Sequence, residues 1–79
     1  MAVTDSAISK ITARLREDRE METLFKTDIT KRREYMEMLL DTECGAEASG
    51  ELVRFDLGCA QAIVPYEKLE TAVLEALQG

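Results

Sequence analysis

The sequence contains no histidine and no tryptophan, and it has only two cysteines and one proline in 79 residues. Without histidine, this chain alone cannot form a Ser-His-Asp triad, a histidine general base or a histidine-ligated metal site. Its glycines, at positions Gly45, Gly50, Gly58 and Gly79, include no Gly-Lys-Ser/Thr phosphate-binding sequence. We therefore expect a protein that is not an enzyme and uses no cofactor or metal.

Long apolar runs are also missing, since none approaches the roughly 20 residues that span a bilayer. The start of the chain lacks the basic segment and apolar stretch of a signal peptide. Cys44 and Cys59 are too few for a disulfide scaffold, and we interpret them as reduced side chains near the edge of the core. A redox or metal role for the pair is the alternative. These features predict a cytoplasmic protein without membrane contact.

The composition is that of a folded protein, with 46% hydrophobic and 33% charged residues. We expect a single domain over residues 1–79. A chain of this length buries only about 60% of its unfolded surface, so its core is thin. Self-association, for example as a homodimer, is one common way to compensate.

The net charge of −6 is confined to one half of the chain. Residues 1–40 contain as many basic as acidic side chains, whereas residues 41–79 contain eight acidic side chains against Arg54 and Lys68. Such an acidic half repels nucleic acid and anionic membranes. A protein partner with a basic surface is the expected ligand, and nucleic acid is not.

The N-terminal half predicts two helices that form a helical hairpin. Apolar spacing predicts the first over about residues 4–26, and we expect it to continue through the charged residues 16–20 because mixed charges support helix. A bend there is the alternative. A break at residues 26–30 precedes a second helix over about residues 29–43, which ends at Gly45. Its expected inner face is Ile29, Met36, Leu39 and Leu40, with Tyr35 at the margin.

The C-terminal half predicts a loop over residues 45–50, a two-stranded antiparallel β-hairpin and an amphipathic helix that Pro65 opens. The overall expectation is therefore an α+β fold. The hairpin allows two registers. A three-residue loop pairs Phe55 with Cys59, whereas a two-residue loop groups Val53 and Phe55 with Ala60, Ala62 and Val64. Gly58 suits the left-handed position of a three-residue loop and so favours the first register. The second register places more apolar side chains on one face, which favours it instead.

The only basic cluster consists of Lys26, Lys31, Arg32 and Arg33. Three of these side chains fall in the first turn of the second helix, where free N–H groups attract anions but cations oppose the helix dipole. The cluster is a candidate contact for an anion or an acidic partner, which makes nucleic-acid or phosphate-ligand binding through residues 31–33 an alternative function. The other interpretation is a solvated face neutralised by neighbouring carboxylates.

Two apolar side chains are candidates for a partner or dimer surface. Leu52 falls on the hairpin face opposite Val53 and Phe55, beside free sheet edges. Met38 belongs to a group with Met21 and Met36 that fills the core or forms an adaptable groove.

The hairpin and helix of residues 51–77 resemble, in topology, the small head-to-tail joining proteins of tailed bacteriophages, which implies phage or virion assembly as a further alternative. The leading hypothesis from the residues is a non-enzymatic protein–protein interaction module, that is, an adaptor, inhibitor or assembly factor. It would act through the acidic C-terminal half and the hydrophobic surfaces of helix and hairpin.

Overall fold

The computed structural model describes residues 3–79 and confirms an α+β fold. Four helices and three strands follow one another along the chain: α1 (Val3–Arg16), α2 (Arg19–Thr27), α3 (Ile29–Cys44), β1 (Ala46–Ser49), β2 (Leu52–Asp56), β3 (Gln61–Pro65) and α4 (Tyr66–Gln78). The expected two-stranded hairpin is in fact a three-stranded antiparallel sheet. The expected helical hairpin is replaced by three consecutive helices.

The prediction of one continuous first helix is wrong, because the helix is interrupted between Arg16 and Arg19. Asp18 has an extended backbone, with φ −131°, and begins α2 as its N-cap. Its side chain accepts hydrogen bonds from the backbone N–H groups of Glu20 (3.1 Å) and Met21 (3.2 Å). An aspartate that satisfies two free N–H groups stabilises a helix start more than it would stabilise a helix interior.

The predicted break between helices at residues 26–30 is confirmed. Asp28 ends α2 and begins α3, and its side chain accepts from the N–H of Lys31 at 3.1 Å. Met36, Leu39 and Leu40 are buried as expected, but Ile29 is 75% exposed. Ile29 is the first residue of α3, beside the α2–α3 junction, and it lies outside the core.

The segment predicted to be a loop over residues 45–50 contains β1 instead. The sheet order is β1-β2-β3, and β1 pairs Ala46 with Phe55 and Ser49 with Leu52. The turn between them is Gly50–Glu51, in which Gly50 has φ 61°. Glycine with positive φ at the first central position is typical of the two-residue turns that join antiparallel strands.

A second turn of the same kind, Gly58–Cys59, joins β2 to β3. The N–H of Leu57 donates to the carbonyl of Ala60 at 2.8 Å across it. Phe55 therefore lies opposite Ala62, and Val53 lies opposite Val64. The predicted register that pairs Phe55 with Cys59 is therefore wrong. The structure has the alternative register, in which Val53 and Phe55 share a face with Ala62 and Val64.

The core lies between the helices and one face of the sheet. Its fully buried large side chains come from every helix and from β2: Phe25, Phe55, Ile11, Leu15, Met36, Leu39, Leu40, Leu69, Val53 and Val73. Pro65 immediately precedes α4, as expected, and Gly45 ends α3 with φ 61°. Within residues 3–79, no helix combines the length and apolarity needed to cross a membrane.

Candidate interaction surface

The sheet has one face that the helices leave uncovered, here called the outer face. Strand alternation places on it the side chains of Glu47, Ser49, Leu52, Arg54, Asp56, Gln61, Ile63 and Pro65. Every one of these residues is exposed. The inner face, by contrast, carries the alanine, valine and phenylalanine side chains that contact the core. The sequence prediction that Leu52 lies opposite Val53 and Phe55 agrees with this arrangement.

Two large apolar side chains lie next to each other on the outer face. Leu52 is 51% exposed and Ile63 is 54% exposed. Leu52 lies opposite Pro65 and Ile63 lies opposite Arg54, so the two side chains are diagonal neighbours on adjacent strands. Together with Glu47, Ser49 and Arg54 they line a shallow depression of about 270 Å³.

Polar side chains border this apolar pair on both sides. Arg54 donates to a carboxylate oxygen of Glu47 at 2.5 Å, and Gln61 donates to Asp56 at 3.3 Å. An apolar centre with a charged and polar border is the usual composition of a protein–protein contact. Sequence reasoning named Leu52 and missed Ile63, because the second strand's faces depend on the register that was left open.

Met38 lies elsewhere on the molecule. It is 42% exposed on α3, and it does not line the depression that contains Leu52 and Ile63. Met21 is partly buried and Met36 is fully buried. The three methionines therefore do not form one exposed groove, and the two candidate surface residues belong to separate regions.

The basic side chains at the α2–α3 junction each have a partner within the chain. Lys26 forms an ion pair with Glu22 at 3.2 Å, and Lys31 forms one with Glu34 at 3.5 Å. Both lysines are substantially exposed, so these pairs contribute little to stability. The lysines remain accessible to solvent but are locally neutralised.

Arg32 holds the end of α2. Its Nε donates to the carbonyl oxygen of Phe25 (2.7 Å), a terminal nitrogen donates to that of Lys26 (2.9 Å), and its guanidinium lies 5.9 Å from the centre of the Phe25 ring. These carbonyls belong to the last turn of α2, which has no further helical N–H donors. Arg32 thus provides hydrogen-bond donors for two free carbonyl groups at the C-terminal end of α2.

Arg33 connects three elements. Its Nε donates to Glu37 at 2.7 Å, its terminal nitrogen donates to the carbonyl of Gly50 at 2.8 Å, and its guanidinium lies 4.0 Å from the centre of the Tyr66 ring. The planar guanidinium suits both the stacking and the forked hydrogen bonding. Arg32 and Arg33 therefore do not point together into a shared anion site.

Tyr66 lies beneath Arg33 at the start of α4. Its hydroxyl donates to Glu70 at 2.9 Å. Burial of the phenol, followed by the hydrogen bond and negative charge of Glu70, raises the pKa of Tyr66 well above its ordinary value, although nearby Arg33 and Arg32 oppose the shift. The group is therefore a neutral hydrogen-bond donor at neutral pH.

Carboxylates gather around Pro65, where β3 meets α4. Glu51, Glu67 and Glu70 line a depression of about 430 Å³ together with Arg33, and Glu67 and Glu75 line another of about 550 Å³ with Lys68. Pro65 lines both. Among residues 3–79, none of these four carboxylates forms an ion pair.

The two cysteines occupy different environments. Cys44 is partly buried at the end of α3, where desolvation raises the pKa of its thiol despite the opposing charge of Lys10. Cys59 is exposed in the turn between β2 and β3. Within the described part of the chain, no cluster of three or more cysteine, aspartate or glutamate side chains has a metal-binding arrangement.

Comparison of the chain with protein-family models, with curated proteins and with solved structures gives no match.

Proposed function

We propose that this chain is a non-enzymatic protein–protein interaction module, an adaptor, inhibitor or assembly factor, that binds its partner through the outer face of the sheet. The observation that carries the proposal is the adjacent pair Leu52 and Ile63, each more than half exposed on a face that no helix covers. Single exposed apolar residues are common on protein surfaces. Two such residues side by side on an open sheet provide a contiguous apolar contact.

Charge favours a partner with a basic surface. The net charge of −6 arises in residues 41–79, which supply the outer face, its turns and α4. Complementary charge raises the association rate and selects among partners, while the apolar centre supplies most of the affinity. The two properties together fit a protein partner better than a small ligand, because the depression on the outer face is shallow and open.

The anion-binding alternative would use Lys26, Lys31, Arg32 and Arg33. Arg32 and Arg33 make the internal contacts described above, and the two lysines are each paired with a glutamate. Within residues 3–79, no contact of these four side chains favours phosphate or nucleic acid over their internal partners.

The experiment is native mass spectrometry of the protein purified gently from its own host, at low and at moderate salt. We expect a protein partner at fixed stoichiometry. The double variant L52T/I63T should weaken the purified complex at least tenfold, because contacts at the centre of an interface contribute most of its affinity. Threonine retains the strand preference of the replaced residues, so the sheet should persist.

The matched control is L57T. Leu57 lies on the same hairpin and is 47% exposed, but it is at the turn and not on the outer face. Its replacement should leave the affinity unchanged. Equal loss in both variants, catalytic turnover by the isolated protein, or the absence of any protein partner would contradict the proposal.

A further inference from the structure

The backbone of β3 has a regular arrangement of paired and unpaired groups. Leu57 and Ala60 form a hydrogen-bonded pair at the turn, and the N–H of Tyr66 donates to the carbonyl of Glu51 at 2.8 Å at the other end. Hydrogen-bonded and non-hydrogen-bonded pairs alternate along an antiparallel ladder. The backbone groups of Ala62 and Val64 therefore point toward β2, and those of Gln61, Ile63 and Pro65 point away from it.

These outward groups form a free sheet edge. β3 is the last strand of the sheet, and within residues 3–79 no backbone group outside the sheet bonds to Gln61 or Ile63. The side chain of Ile63 is 54% exposed, so the strand is accessible from the outer face. Pro65 has no N–H, which limits the donors of this edge to Gln61 and Ile63.

The opposite edge, on β1, is less open. The same alternation directs the backbone groups of Ala46 and Ala48 outward. Ala46 is only 3% exposed, and Glu37 and Asp41 of α3 line the same depression as these alanines. An added strand at β1 would lie beside Glu37 and Asp41 of α3, whereas Ile63 of β3 lines the outer-face depression, which contains no helix residue.

The charge at the end of β3 indicates what kind of chain would bind there. Pro65 borders the two depressions that hold Glu51, Glu67, Glu70 and Glu75. Their lining contains only two basic groups, Lys68 and Arg33, and Arg33 is already paired with Glu37. A lysine or arginine of an added strand would find unpaired carboxylates at this position.

A second copy of the chain is a poor occupant of the same edge. Each copy carries a net charge of −6, so two copies repel each other.

We propose that the β3 edge binds an extended, basic segment of a partner protein as a fourth strand of the sheet. Backbone hydrogen bonds to Gln61 and Ile63 would fix the segment, and its lysine or arginine side chains would reach the carboxylates around Pro65. This inference rests on the proposed function and specifies the partner's conformation and chemistry.

The test uses the 79-residue chain and ten-residue synthetic peptides in which lysine or arginine alternates with valine, isoleucine, threonine or tyrosine. Ligation at the Gly58–Cys59 junction allows the backbone amide of Ile63 to be replaced by an ester, which removes its outward N–H and makes the preceding Ala62 carbonyl a weaker acceptor toward β2. Peptides selected on the wild-type chain should bind the ester variant about fivefold or more weakly, because one backbone hydrogen bond is lost. Ile63→Pro removes the same N–H and should have a similar effect.

The matched control is an ester at Ala48, which removes an outward N–H from the β1 edge and should leave peptide affinity unchanged. Peptide binding should also protect the Gln61 and Ile63 amides from hydrogen exchange and should weaken as salt rises. Circular dichroism and thermal unfolding establish that each variant is folded.

Three results would overturn the inference: peptides that bind the Ile63 ester variant as tightly as the wild type, a loss confined to the Ala48 ester, or no peptide that binds the wild type. A change of oligomeric state in the Ile63 ester variant, relative to the wild-type chain, would show that a second copy occupies the β3 edge. That result would also overturn the inference. If a native partner is lost in L52T/I63T but bound equally by the ester variant, the proposed function stands and strand addition fails.

Discussion

At the scale of single residues, Thr12 is the least satisfied side chain of the core. It is 7% exposed in α1, and within residues 3–79 its hydroxyl has no hydrogen-bond partner. A buried hydroxyl without a partner costs about 1–3 kcal/mol of desolvation. We expect Thr12→Val to raise the free energy of unfolding by about 1 kcal/mol, which corresponds to a melting temperature about 4–8 °C higher in a domain of this size.

Thermal and urea unfolding of Thr12→Val measure this effect. Thr42→Val is the control, because Thr42 is exposed in α3 and its replacement should change stability by less than about 0.5 kcal/mol. A less stable Thr12→Val protein would show that the hydroxyl has a partner, such as a buried water molecule.

At the scale of secondary-structure elements, the separation of α1 and α2 depends on Asp18. Its carboxylate accepts from two N–H groups at the start of α2. Asp18→Ala should lower the free energy of unfolding by about 1 kcal/mol, as is usual for loss of an N-cap, whereas Asp18→Asn should retain most of it. Urea titration measures the difference.

Glu17→Ala provides the control for charge at this junction, because Glu17 forms only an exposed ion pair with Arg14 at 3.6 Å. Its effect should be much smaller than that of Asp18→Ala. Unchanged stability of Asp18→Ala, together with stronger helical circular dichroism, would show that the two helices can join into the single helix that the sequence alone favours.

The sequence predicted the helices from apolar spacing, but not this junction. Residues 16–20 contain mixed charges and neither glycine nor proline, so the local pattern is equally compatible with helix. The interruption of the apolar stripe was the available signal. In the structure, capping by Asp18 and the packing of Phe25 into the core together decide in favour of a break.

The failure to predict strand β1 from the sequence has a different physical reason. Its side chains are alanine, glutamate, alanine and serine, which have low strand preference, so the segment has the composition of a loop. Pairing with β2 makes it a strand, and that contact is not local to the segment. The two turns, Gly50–Glu51 and Gly58–Cys59, have glycine in the same position, and this repetition is the signal that would have identified a three-stranded sheet.

At the scale of the whole molecule, the candidate site was predictable only in part. Leu52 follows from strand alternation, whichever register forms. Ile63 needs the correct register, and the open β3 edge needs the full sheet order. The basic cluster was visible in the sequence, but the role of Arg33 was not, because its contacts with Gly50 and Tyr66 join residues far apart in the chain.

Burial of Tyr66 makes the stability of the whole fold depend on alkaline pH. Its pKa is raised above the ordinary value of 10.0, chiefly by burial, so above pH 10 the folded state binds the phenol proton more tightly than the unfolded state. The free energy of unfolding should therefore be unaffected by this group below pH 10 and should fall as pH rises further. Urea unfolding of wild type and Tyr66→Phe from pH 8 to 11.5 tests this. The variant loses the hydrogen bond to Glu70, about 1 kcal/mol at pH 8, but should show a shallower alkaline decline. Cys44 contributes equally to both proteins, so parallel declines would show that Tyr66 ionises as readily in the folded protein as in the unfolded chain.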